Sequence, residues 1–215
     1  MNYSHLFLIL VFFTGSSLAG LLTSNNRTHK FLATQIDLGS ENEFPAVNVR
    51  KGYFEDRFSF YLLSFDPENR PIWMSKWGKF DMEEIVSGGN KTKILFEKYI
   101  KQVVQFVRKS TSMKSTVQKP VNQSILVIDF NEFLLYPDAS IEKLSFILKL
   151  FRDNRKDIED LAAQIYVINT NLASEGLVSL VTQTVFDRGF KKRVQIFGTF
   201  NIPSWLQELL NTVQT

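Results

Sequence analysis

Three short apolar runs constrain the fold more than any other feature of the chain: residues 125–130 (ILVIDF), 165–169 (IYVIN) and 194–198 (VQIFG). Each is rich in β-branched or aromatic residues, too short for a helix, and bounded by polar or turn residues, so each reads as a strand. About thirty residues separate one run from the next, the room that a crossover helix and its loops need between parallel strands. Such crossovers are almost always right-handed, which predicts one parallel layer with helices packed on it.

The flanking segments extend this plan. Residues 58–65 (FSFYLLSF) and 72–77 (IWMSKW) are strand-like, and the turn formers at 66–71 (DPENRP) join them into an antiparallel hairpin at a sheet edge. Asp81 is placed to cap a short helix over 81–86, with Glu83 and Glu84 in its first turn. Residues 87–90 (SGGN) break it. The following Lys91-Thr92 does not complete a phosphate loop, because the four residues required between the glycine and the Gly-Lys pair are missing.

Leu95, Tyr99, Val103, Phe106 and Val107 recur at helical spacing, which predicts a long helix over 91–109, followed by a polar loop over 110–122. In the first crossover helix, Ile141, Leu144, Leu148 and Phe151 mark the inner face, and the charged run 152–160 (RDNRKDIED) is expected to pass through solvent. The second crossover helix, over 173–186, presents Leu177, Leu180, Val181 and Val185, and apolar residues continue around it at Val178 and Phe186. A helix apolar on more than one side faces the core on one and a further apolar surface, a helix or a ligand, on the other. Residues 203–210 form a last amphipathic helix.

Residues 6–13 (LFLILVFF), followed by Ser17 and Ala19 in small-residue positions, predict a signal peptide over 1–19. The run is well short of the roughly 20 residues that a membrane span needs. A secretory route gives meaning to glycosylation acceptors at Asn26, Asn90 and Asn122. Residues 20–57 read as a polar lead-in.

Charge and reactive residues narrow the function. The net charge is +3, too small an excess to argue for nucleic acid. The six bases from Lys98 to Lys119, with no acid among them, and the cluster of Arg188, Lys191, Lys192 and Arg193 suit contact with lipid phosphates or a membrane surface. There is no Cys, and the two histidines are His5 and His29. Thiol catalysis, disulfides and a metal centre are therefore not expected. Nor is a hydrolase, for want of a placed base and of a Gly-x-Ser-x-Gly elbow. No catalytic residue and no cofactor are predicted.

The hairpin with its sequel FDPENRPIWMSKWGKFDMEEI (65–85), ILVIDF, IYVIN, KKRVQIFG (191–198) and the late SWLQELL together resemble the CRAL-TRIO lipid-binding domain family, over about residues 58–210. This is the family of phosphatidylinositol-transfer, tocopherol-transfer and retinaldehyde-binding proteins. The resemblance implies an α/β fold with a mostly parallel sheet floor, an antiparallel edge hairpin, and helices enclosing a hydrophobic pocket. It implies a mobile gate over residues 172–190, and a divergent member without the separate helical domain that precedes many relatives. No proline follows Asn169 and no Leu-Pro or Tyr-Gly-Gly tail follows the last helix, unlike the family pattern.

By the resemblance, Asp160 and Arg193 stand where phosphoinositide-binding members hold the head group, and Phe130, Ile147, Leu177, Val181 and Phe186 are expected to line the pocket. The expected function is a secreted lipid-binding or carrier protein, non-catalytic, taking a hydrophobic small molecule or phospholipid and touching membranes transiently. The alternative is the same scaffold with its cavity filled by side chains, acting as a protein-interaction module. The sequence leaves the lipid and the oligomeric state open.

Overall fold

The computed structural model describes residue 54, residues 57–133 and residues 141–212. The expected signal peptide, Asn26, His29 and the lead-in up to residue 53 lie outside the described residues. Strands β1 (Phe60–Phe65) and β2 (Pro71–Ser75) form the expected antiparallel hairpin. Asp66 organises its turn: Oδ1 accepts from the backbone N–H groups of Glu68 and Arg70, and Oδ2 accepts from Arg70 Nε at 2.7 Å. Asn69 takes the left-handed conformation there, φ 64°, which asparagine tolerates better than most residues.

A 3-10 turn over Trp77–Lys79 leads to α1 (Met82–Ser87), where Asp81 caps as expected, accepting from Glu84 N–H at 3.0 Å. The break after α1 is shorter than the sequence suggests. Gly89, at φ 75°, turns the chain within one residue, so α2 (Gly89–Thr111) already contains Asn90. Strand β3 (Ser124–Asp129) follows a loop, then α3 (Ile141–Asp153), α4 (Arg155–Leu161), β4 (Ala162–Thr170), α5 (Leu172–Val185), α6 (Arg188–Lys191), β5 (Val194–Gly198) and α7 (Ser204–Thr212).

The sheet runs β1-β2-β3-β4-β5, with β2 to β5 mutually parallel. A sequential order with right-handed crossovers puts every crossover helix on one face. Residues on alternate positions confirm this division. Trp73, Leu126, Ile165 and Val167 face the crossover helices, whereas Ile72, Met74, Ile125, Val127 and Ile168 pack on the other face against Leu206 of α7. Burial pushes the phenol of Tyr61, on that second face, up to about 12, helped by the charge of Asp129.

Two local expectations need correction. The run 152–160 does not pass through solvent as a loop, because Arg155–Leu161 is helical. Asn154 breaks α3 from α4, buried with its Nδ2 donating to the Leu150 carbonyl, and Ile158 and Leu161 then point inward. The inner face of α3 is also wider than expected: Leu144, Leu148 and Phe151 pack against the core, Phe146, Ile147 and Leu150 are buried beside them, and Ile141 is 73% exposed. The reason is that α3 lies between two neighbours, with Phe146 meeting Phe96 of α2 and Phe151 meeting Phe186 beside α5.

Candidate functional site

Parallel strands expose their side chains alternately, and on the helical face the ends of β3, β4 and β5 place Ile128, Ile165, Val167 and Val194 as a floor. Trp77, Phe130, Phe151 and Ile158 stand around it. The roof is α5 and α6, through Leu177, Val178, Val181, Thr182, Phe186 and Phe190. Every lining side chain but Thr182 is apolar, and the Thr182 hydroxyl donates to the Val178 carbonyl at 2.8 Å within its own helix. Among these walls lies a cavity of about 50 Å³, small beside the roughly 300–1,000 Å³ of ligand pockets.

The roof is fixed unequally at its two ends. At the start of α5, Asn171 and Ser174 form a reciprocal capping box. Asn171 Nδ2 donates to the Phe133 carbonyl at 2.9 Å, and the Thr170 hydroxyl donates to Glu175 at 3.1 Å. Asn169, left-handed at φ 54°, donates from Nδ2 to Asp129 at the end of β3, 2.8 Å away. At the other end the helix stops at Phe186, and Phe186 and Asp187 are both extended. Asp187 then caps α6, and the N–H of Phe190 holds its carboxyl below the usual carboxylate range. Phe186 and Phe190 stack at 4.5 Å across the break.

Of the five apolar residues expected in the pocket, Phe130, Leu177, Val181 and Phe186 line the cavity. Ile147 packs in the same cluster behind it without lining it. Arg193 is half-buried beside the cavity, its guanidinium 5.5 Å from the ring of Phe190. Its Nη1 donates to the carbonyls of Glu159 and Ala162 at 2.9 and 3.0 Å, tying the α4–β4 junction to β5. Asp160 is exposed, and no ion pair joins it to Arg193 among the described residues. Asn90 and Asn122 are both exposed.

Trp77, Ile158 and Phe190 are lining residues that sequence reasoning did not single out. A 3-10 turn has no periodicity to betray Trp77. For Ile158, its spacing of three from Leu161 inside the charged run was the available signal.

The chain matches the family described as the CRAL/TRIO domain over residues 55–214 of its 215. The chain belongs to that family. CRAL/TRIO proteins bind lipids or other hydrophobic small molecules. Among solved structures, the chain is similar to the one titled "Crystal structure of Sfh5", at 13% identity and a TM-score of 0.46. That match covers 68% of this chain and 49% of the other, so this CRAL/TRIO chain spans about half the length of the solved relative. No curated protein matches the chain.

Proposed function

We propose that this protein is a secreted, non-catalytic lipid carrier that encloses one hydrophobic ligand between β3–β5 and α5, with α5 and α6 as the gate. The observation that carries this reading is the chamber with an apolar lining whose roof is capped firmly at Asn171 and interrupted at Phe186–Asp187. Swinging the C-terminal end of α5, where Val185 and Phe186 are buried by apolar contacts alone, away from the floor would enlarge the chamber without breaking the sheet. The N-terminal apolar run supports the secretory route, which makes Asn90 and Asn122 accessible acceptors.

For a phospholipid ligand, Arg193 is the head-group residue of choice. Nη1 is committed to backbone carbonyls, while Nε and Nη2 have no protein partner among the described residues. That edge of the guanidinium can take a phosphate bidentately. Asp160 would then contact head-group hydroxyls from the neighbouring junction.

The test is native mass spectrometry with lipid extraction on protein purified from a secreting eukaryotic host. A stoichiometric hydrophobic ligand is expected. Empty protein that also refuses phosphatidylinositol, tocopherol and retinoids overturns the carrier reading in favour of a filled scaffold that acts by binding another protein. The cavity of about 50 Å³ is the observation that favours that second reading.

A further inference from the structure

The later part of the first basic cluster, Lys109 to Lys119, meets the second, some seventy residues on in sequence, at one edge of the sheet. The α2–β3 loop, the α4–β4 junction and the α6–β5 junction all precede parallel strands, so all lie at the amino edge. Hydrogen bonds lace them together in order. Asn69 Nδ2 in the hairpin turn donates to the Lys114 carbonyl, Gln123 Nε2 donates to the Asp160 carbonyl, and Arg193 Nη1 donates to the Glu159 carbonyl. Val194, the first residue of β5, lies level with Leu126 of β3, two strand spacings or about 10 Å away.

The edge carries an excess of positive charge. Its acids are mostly spent: Asp66 and Glu68 on Arg70, Asp157 on Arg108, Glu159 on Arg155. Lys109, Lys114 and Lys119 on one side, and Arg188, Lys191 and Lys192 on the other, have no ion pair among the described residues. Against these six cations stand Asp160 and Asp187. Lys114 lies over the ring of Phe65 at 4.2 Å, and Lys119 donates to the Pro67 carbonyl at 2.9 Å, so the loop is held in place rather than dangling. Between these lysines, Val117 is 95% exposed and Met113 53% exposed.

We propose that this amino edge is a docking surface for an anionic lipid bilayer. Lysines meet the phosphates and carboxylates of the surface, and Val117 and Met113 enter the interfacial layer. Cations alone would suit any polyanion. Protruding apolar side chains set among them suit a membrane. The placement also serves the proposed carrier, on which the inference rests. Phe190 and Val194, both at this edge, line the cavity, so docking brings the α6 side of the chamber to the lipid.

The experiment is cosedimentation with phosphatidylcholine vesicles, with and without phosphatidylserine, using protein that carries Asn122→Gln so that no glycan screens the edge. Binding is expected only with phosphatidylserine and is lost near 1 M salt, where the screening length is about 3 Å. Lys109→Ala and Lys192→Ala should each weaken binding about fivefold, and together by about the product. Val117→Asp should weaken it at least as much as either. Lys91→Ala, the same charge change about 27 Å back along α2, should leave binding unchanged.

Equal loss for Lys91→Ala, equal binding to neutral vesicles, or tighter binding to polyuridylic acid that ignores Val117→Asp overturns the docking surface. Native mass spectrometry of the same samples separates the two readings. Lipid-loaded protein that ignores vesicles overturns the docking surface alone. Empty protein that refuses phosphatidylinositol, tocopherol and retinoids yet docks with this pattern supports the surface and overturns the carrier.

Discussion

Under α1 and α2, the sheet is covered by closely packed rings. Phe96 alone meets Phe54, Phe58, Tyr99 and Phe146, with centroids 4.7–6.4 Å away. Tyr99 donates to the Phe58 carbonyl, and Trp73 Nε1 donates to Ser110 Oγ at 2.9 Å. Under α5 and α6, the same sheet meets Val, Leu and Thr from a helix that is apolar on more than one side, and a cavity of about 50 Å³ remains. At about 24 cal/mol per Å³, that void forfeits on the order of 1 kcal/mol relative to a filled core. One half of the layer is closely filled, and the other leaves a gap.

The largest expected effect sets the halves against each other. Phe96→Ala should cost about 3–5 kcal/mol in urea unfolding, because four ring partners lose contact at once. Phe186→Ala should cost about half as much, since Phe186 has two ring partners, Phe151 and Phe190, and borders the gap. Equal costs would erase the distinction.

Local stability should differ in the same sense. Amides in the second half of α5 should exchange with solvent at least tenfold faster than those in the middle of α2, through opening at the Phe186–Asp187 break rather than through global unfolding. Exchange of both helices at the global rate would deny α5 any separate motion.

How far the sequence foretold each half follows from where the information lies. Strands β3 and β5, the Asp81 cap and the face of α2 from Leu95 to Val107 were legible because each is a local pattern of period two or three to four. Helix α4 was not, because Ile158 and Leu161 are outnumbered by charges that the helix simply turns to solvent. Only part of the buried face of α3 was read, Leu144, Leu148 and Phe151 but not Phe146 and Leu150, because its burial comes from two neighbours rather than one. In the chamber, Phe130, Leu177, Val181 and Phe186 were foreseen and Trp77 was not, since its place depends on the hairpin's position beside β3. The meeting of the two basic clusters is wholly tertiary, set by strand order.

Filling the gap gives a smaller but sharper effect. Val178 faces the cavity from α5, and Val178→Phe places a ring in the void. Stability should rise by up to about 1 kcal/mol, while uptake of any hydrophobic ligand falls at least tenfold. A loss of stability with uptake unchanged would mean that the ligand lies elsewhere. Filling is unavailable under α2, where an added ring would overpack a closed cluster and destabilise it.

The smallest effect concerns the cap of α6. The Asp187 carboxylate accepts from the Phe190 N–H and is held below the usual carboxylate range by that bond. A carboxyl depressed in the folded state stabilises the fold at any pH above its unfolded value, about 4. That contribution is lost as pH falls through the lower folded value. The group is exposed, so the global change is slight. The consequence is local: below about pH 4 the Phe190 amide should exchange faster and Phe186 should lose its stacking on Phe190, loosening the roof where it is already interrupted. Asp187→Asn keeps a capping oxygen but cannot titrate, and should abolish the acid response. Helix α2, preceded by Gly88 with no side-chain cap, supplies the internal comparison, since its first turn should show no such response. If both helix starts loosen together in acid, the effect is general charging of the protein and Asp187 has no particular hold on the roof.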